Sequence, residues 1–172
     1  MMLCGIILLN INDMKTCTAL FLFMSLFCAC NNNTTDKIKL TEIDAKNPVQ
    51  EITIKAQGNT MDEMKYDITE ITTYEKTTLR ITLVNESTDG SMLHNFVLIK
   101  TGTAQTIAEQ GLQAGTKDDY VPINDNVLIH TKMTKPGEIS SITFTSPPKG
   151  TYDFICTYPG HWSMMRGRMI VK

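Results

Sequence analysis

Cysteine is scarce where it could form a scaffold. Of the five in the 172-residue chain, Cys4, Cys17, Cys28 and Cys30 crowd into the first thirty positions and leave Cys156 by itself in the rest. The body of the chain therefore has no disulfide framework. Neither sign of charge predominates: 16 Lys and Arg stand against 18 Asp and Glu, for a formal charge of −2. That gives no general electrostatic pull toward nucleic acid. The apolar stretch near the N-terminus falls short of the roughly twenty residues of a spanning helix. No internal repeat and no phosphate-binding glycine pattern is present. What is there is an ordinary globular composition, 42% apolar and 20% charged, in a length suited to one domain.

The apolar residues are concentrated at the start. From Met14 the chain reads MKTCTALFLFMSLFCACNNN: a Lys, an apolar stretch from Ala19 to Ala29, then polar residues, which is the order of a secretory signal. Residues 1–29 are expected to be that signal, with 1–13 untranslated if Met14 is the true start. Ala29-Cys30 resembles a bacterial lipobox, although Phe27 stands where Leu is usual. Cys30 is then the lipid-attachment site, and 30–48 a lipid-anchored polar tether. A plain cleaved signal peptide is the alternative. Either way the chain is expected in the periplasm, with the outer membrane favoured because Asn31 is not the Asp that retains some lipoproteins in the inner membrane. The mature chain would keep one ordinary thiol, Cys156. In an oxidising compartment an unpaired Cys is a liability unless it serves as ligand or nucleophile.

Downstream, residues 51–57, 65–72, 77–85 and 138–145 alternate apolar with polar side chains, and 152–156 and 167–171 read similarly. Period-two alternation rich in Ile, Val, Thr and Tyr predicts strands with one face on a core. Turn sequences such as Gln57-Gly58-Asn59, Asp89-Gly90 and Lys135-Pro136-Gly137 separate them. The pattern predicts an all-β sandwich of two sheets. Residues 103–112 (TAQTIAEQGL) break it and predict a short helical flap.

The chemistry gathers near the C-terminus, in Cys156-Thr-Tyr-Pro-Gly-His161-Trp-Ser-Met-Met165, with His94 sixty-two residues before the Cys. Loops at one end of a sandwich can bring these residues together, and Pro159-Gly160 makes a tight turn between Cys156 and His161. Two His, a Cys and a long axial Met form the donor set of blue-copper electron-transfer sites. Zinc fits less well, since a thioether is a poor zinc ligand. The Cys–His loop offers no carboxylate to act as a base, so the set suits a carrier better than a hydrolase.

With these residues in view, the chain resembles the azurin-like cupredoxins from about Val49 to Lys172. The resemblance implies a cupredoxin-like Greek-key β-sandwich over 49–172 and one copper ion. Its Cys-x4-His-x3-Met spacing selects Cys156, His161 and Met165 as ligands, and its His-Asn pair selects His94. It further implies that the Asn95 and Tyr158 backbone amides bond the Cys156 sulfur. Met92, Trp162 and Met164 are expected to form an apolar docking patch around the exposed ligand His. Three departures stand out. Leu93 replaces the family's usual Gly, whose carbonyl is a distant metal contact; the family's disulfide cannot form here; and the tether is additional. The expected function is a type 1 copper protein passing single electrons between redox proteins such as cytochromes or copper oxidoreductases, without turnover of its own. The alternative is a copper-delivery module of the cell envelope.

Overall fold

Period-two alternation becomes strand wherever one face of the segment can be buried. In β1 (Gln50–Gln57), Ile54 and Ala56 turn inward while Thr53 and Lys55 face solvent. In β4 (Thr78–Asn85), Leu79, Ile81, Leu83 and Asn85 are all buried. The computed structural model describes residues 48–172; the expected signal peptide, the lipid-attachment Cys30 and residues 30–47 of the tether lie outside the described residues. Among those described, no helix is long and apolar enough to cross a membrane.

The remaining strands among the described residues are β2 (Lys65–Tyr66), β3 (Glu70–Thr73), β5 (Val97–Lys100), β6 (Val127–His130), β7 (Ile139–Thr145), β8 (Gly150–Ile155) and β9 (Arg166–Val171), with one α-helix, α1 (Ala104–Ala114), and a short 3-10 turn at Thr116–Asp118. They build a four-stranded sheet in the order β2-β1-β4-β7 and a five-stranded sheet in the order β3-β9-β8-β5-β6. Ile54, Leu79, Ile81 and Leu83 of the first sheet share one core with Leu98, Phe154 and Met169 of the second. This is the two-sheet, all-β architecture that the alternation predicts.

One local reading needs correction. Residues 65–72 do not form one strand: β2 pairs with β1 in the first sheet, whereas β3 pairs with β9 in the second. Asp67 closes β2 off, its amide donating to the Lys55 carbonyl at 3.0 Å and its carboxylate accepting from the Lys55 amide at 2.7 Å. The inward-facing phase then slips by one, from Tyr66 to Ile71 and Thr73. A half-buried strand does not tolerate such a slip, because it would turn every side chain over.

The strand β5 escapes an alternation search because it has no solvent face. Phe96 and Leu98 point into the core between the sheets, while Val97 and Ile99 pack beneath a second cluster with Ile107, Val121 and Ile155. The helix α1 covers that outer face, so the run FVLI is buried on both sides. The predicted helix 103–112 thus lies within two residues of α1, and its role is to roof β5 and β8.

Candidate metal centre

Asn85 fixes the loop that precedes His94. Its buried amide donates to the carbonyls of Met92 at 2.7 Å and Thr134 at 3.0 Å, and its side-chain oxygen accepts from the Ser87 amide. His94 then forms an isolated bridge with Thr134, the two exchanging backbone bonds of 3.1 and 2.7 Å. On the other side, β8 delivers Cys156. The chain turns at Gly160 (φ +84°), where His161 N–H bonds the Tyr158 carbonyl at 3.0 Å. It returns so that Met165 N–H reaches the His161 carbonyl at 2.8 Å and Cys156 N–H the Met165 carbonyl at 3.0 Å.

Asn95 joins the two halves. Its side chain accepts from Thr157 N–H at 2.9 Å and donates to Thr157 Oγ1 at 2.8 Å and to the Asp119 carbonyl at 3.0 Å. The Asp119 contact requires the 115–121 segment to approach α1 closely. Gly111 permits that approach: a β-carbon there would collide with the Tyr120 carbonyl.

Three donor atoms meet as a result. His94 Nδ1 and His161 Nδ1 lie 3.2 Å apart, and the Cys156 sulfur is 3.9 Å from the first and 3.7 Å from the second. A point in their plane equidistant from all three lies about 2.1 Å from each, against typical metal–nitrogen bonds of about 2.0–2.1 Å and metal–sulfur bonds of about 2.3 Å. His94, Cys156 and His161 are the His/Cys group within metal-binding reach among the described residues, and all three are buried. The sulfur-containing donor set fits a soft or borderline ion such as copper. With Nδ1 turned to the common point, His94 Nε2 is left buried and without a hydrogen-bond partner.

The remaining expected residues divide. Met165 is fully buried in the core cluster that holds Cys156. The backbone amides of Asn95 and Tyr158 both bond the Cys156 sulfur and lower its proton affinity. Leu93 is half-buried beside the site, its amide bonded to the Ser91 carbonyl. Met164 is 52% exposed, and Trp162 is half-buried against the outer cluster of Val97, Ile99, Ile107, Val121 and Ile155. Met92 departs from the expected docking patch: at 6% exposure it is buried, because Asn85 holds its carbonyl inward. Residues that escaped the sequence reading include Asn85, Thr157, Thr134 and Tyr66, whose roles depend on contacts across long sequence separations and carry no local signal.

Burial dictates the protonation of the metal-free site. Desolvation pushes the Cys156 thiol up to about 12, more than the two amides pull it down. Desolvation, then repulsion from His161, lowers His94 to about 3, and desolvation lowers His161 to about 4. At neutral pH the site is thus one thiol and two neutral imidazoles, so metal binding must release the thiol proton. The same shifts govern stability. The unfolded chain takes up protons on both imidazoles near the ordinary 6.5 while the fold refuses them, so stability is lost as pH falls below that value. The fold retains a thiol proton that the unfolded chain sheds near 9.0, so stability is also lost as pH rises above it. Denaturant unfolding of the metal-free protein is expected to show a plateau between these limits and an acid-side slope of about two protons near pH 5 from the imidazoles. A slope unchanged by His94→Gln and His161→Gln together would contradict this.

Comparison with known proteins agrees with this geometry. Residues 51–172 match the family described as copper binding proteins, plastocyanin/azurin family. Auracyanin-A of Chloroflexus aurantiacus is 36% identical over 118 residues, covering 67% of this chain and 72% of that protein. Azurin of Achromobacter denitrificans is 33% identical over 129 residues, covering 71% of this chain and 87% of that protein. Among solved structures, auracyanin A, described as a "blue" copper protein, superposes with a TM-score of 0.65 at 34% identity, covering 72% of this chain and 99% of that one. The dithionite-reduced auracyanin of Roseiflexus castenholzii gives 0.64 at 37% identity, covering 72% and 97%.

Proposed function

Since the chain belongs to the plastocyanin/azurin family of copper-binding proteins, we propose that it carries single electrons between redox proteins of the periplasm, with His94, Cys156, His161 and Met165 as its copper ligands. The family assignment makes it a blue-copper electron-transfer protein, a carrier and not an enzyme. The observation that carries the ligand assignment is the convergence of two Nδ1 atoms and one sulfur on a common point. The burial of Met165 in the cluster that holds Cys156 and its two backbone bonds into the ligand loop support it as the fourth ligand. Leu93 would contribute at most a weak carbonyl contact.

Copper bound there supplies a one-electron couple. The protein's part is to keep the donors still. Asn95 ties the His94 segment to the Cys156 loop, and the 161–165 turn is closed on itself by hydrogen bonds. Donors held in one arrangement suit both oxidation states, and a small rearrangement favours fast transfer. The two amides on the sulfur tune its electron donation. Met164 and Trp162 form the docking face for partners such as cytochromes or copper oxidoreductases. Residues 49–172 are the copper domain, and Ala29-Cys30 supports a lipid anchor on a 30–48 tether.

Electron self-exchange and copper loss to a chelator test the carrier role together. Rapid exchange with slow release is the expected outcome. Slow exchange with ready release would favour delivery of the metal itself.

A further inference from the structure

Tyr66 belongs to β2, in the sheet opposite β5 and β8, the strands that His94 precedes and Cys156 follows. Its side chain nevertheless reaches the metal pole. The phenol is 3% exposed, packs against Phe154 with ring centroids 5.8 Å apart, and donates its hydroxyl proton to the Asn95 carbonyl at 2.5 Å. That carbonyl belongs to the peptide whose N–H, on Phe96, donates to Thr131 Oγ1 at 3.0 Å. The peptide plane following Asn95 is thus held from both sides, by a hydroxyl of one sheet and a hydroxyl beside the other.

Asn95 is the residue on which this matters. Its own amide bonds the Cys156 sulfur, and its side chain clamps Thr157, the residue after that Cys. Asn95 is fully buried, so no solvent is at hand to replace a lost partner on its carbonyl. We infer that Tyr66 is a positioning residue for the copper site: a strut between the two sheets whose hydroxyl fixes Asn95 and thereby sets the strength of the Asn95 amide bond to the Cys156 sulfur. The inference rests on the proposed ligation by Cys156.

The chemical consequence has a sign. An N–H donated to a thiolate withdraws electron density from the sulfur and disfavours the higher oxidation state of the metal it binds. When the strut is removed, that bond slackens, the sulfur donates more strongly, and the reduction potential falls. Phe retains the ring and its packing on Phe154, so Tyr66→Phe removes the hydroxyl and little else.

Two readouts on the full protein test this. In the copper-loaded protein, Tyr66→Phe is expected to lower the reduction potential and shift the thiolate-to-copper absorption. In the copper-free protein it is expected to increase hydrogen exchange at the Asn95 and Thr157 amides while distant β4 amides keep their protection. Site-specific 3-fluorotyrosine at position 66 keeps the shape and makes the hydroxyl a stronger donor, so its potential is expected to move upward. It also decides the matter if the Phe variant does not fold. A lower unfolding midpoint with potential, absorption and amide exchange all unchanged would overturn the inference and leave Tyr66 a core residue. An unmoved potential in the fluorotyrosine protein would do the same. A wild-type protein that takes up copper without the charge-transfer band would instead refute the ligand assignment beneath it.

Discussion

Cys156→Ser is expected to abolish the charge-transfer colour of the copper-loaded protein while leaving the fold intact. The sulfur is the one soft donor among the three convergent atoms, and intense visible absorption requires a thiolate on Cu(II). A serine oxygen is a harder donor and is not deprotonated at neutral pH. The fold should survive because Ser and Cys are similar in size and the bond from residue 156 N–H to the Met165 carbonyl needs no side chain. The Asn95 and Tyr158 amides would find a hydroxyl in place of the sulfur, so metal-free stability should change by only about 1 kcal/mol. Absorption spectra of the loaded variant, with denaturant unfolding of its metal-free form, check both halves. A Ser variant that stays blue would remove Cys156 from the metal.

Gly167→Ala is expected to have the largest effect on stability. Gly167 lies opposite Phe154 across the β8–β9 pair. A β-carbon there would collide with the Phe154 ring and stand 2.6 Å from the Thr69 carbonyl. The ring has nowhere to go: it is fully buried and packs on Phe96 with centroids 5.1 Å apart and on Tyr66. The Thr69 carbonyl is held in turn by the Arg168 amide at 2.8 Å. Overpacking costs about 1–3 kcal/mol, toward the upper end where neither neighbour can yield, whereas strand propensity alone would make Ala better than Gly by about 0.5–1 kcal/mol. The two effects have opposite signs, so the unfolding midpoint of one variant distinguishes them. A neutral or stabilising result would mean that Phe154 can swing aside.

The donor set could be read in the sequence because the loop compresses it: Cys156, His161 and Met165 lie within ten residues, around a Pro-Gly turn whose Gly160 does adopt positive φ. His94 required the family resemblance, since no local pattern links a histidine to a cysteine sixty-two residues later. Strands with a wet face, such as β1 and β4, announce themselves by alternation. By contrast, β5 has both faces covered, and its period is erased by the residues of α1 that cover it. The break between β2 and β3 left a trace in the sequence, the phase slip after Ile68, but two short strands that each bury one face in the same core resemble one long strand until their partners are known.

The burial of Met92 was out of reach for a related reason. Its position beside the site follows from the chain, but its direction is set by Asn85, a polar residue buried at the end of β4. Nothing near Asn85 in sequence marks it as a clamp. Tyr66 is hidden in the same way, since its hydroxyl finds a partner twenty-nine positions away, in the segment that leads into β5.

The claim beneath these expectations is that two imidazoles and one thiolate share a single copper ion. The visible and paramagnetic-resonance spectrum of the oxidised, copper-loaded wild-type protein tests it most directly. One copper per chain with an intense thiolate-to-Cu(II) band is the expected result. A colourless, fully folded protein holding its copper through nitrogen and oxygen donors alone would contradict it.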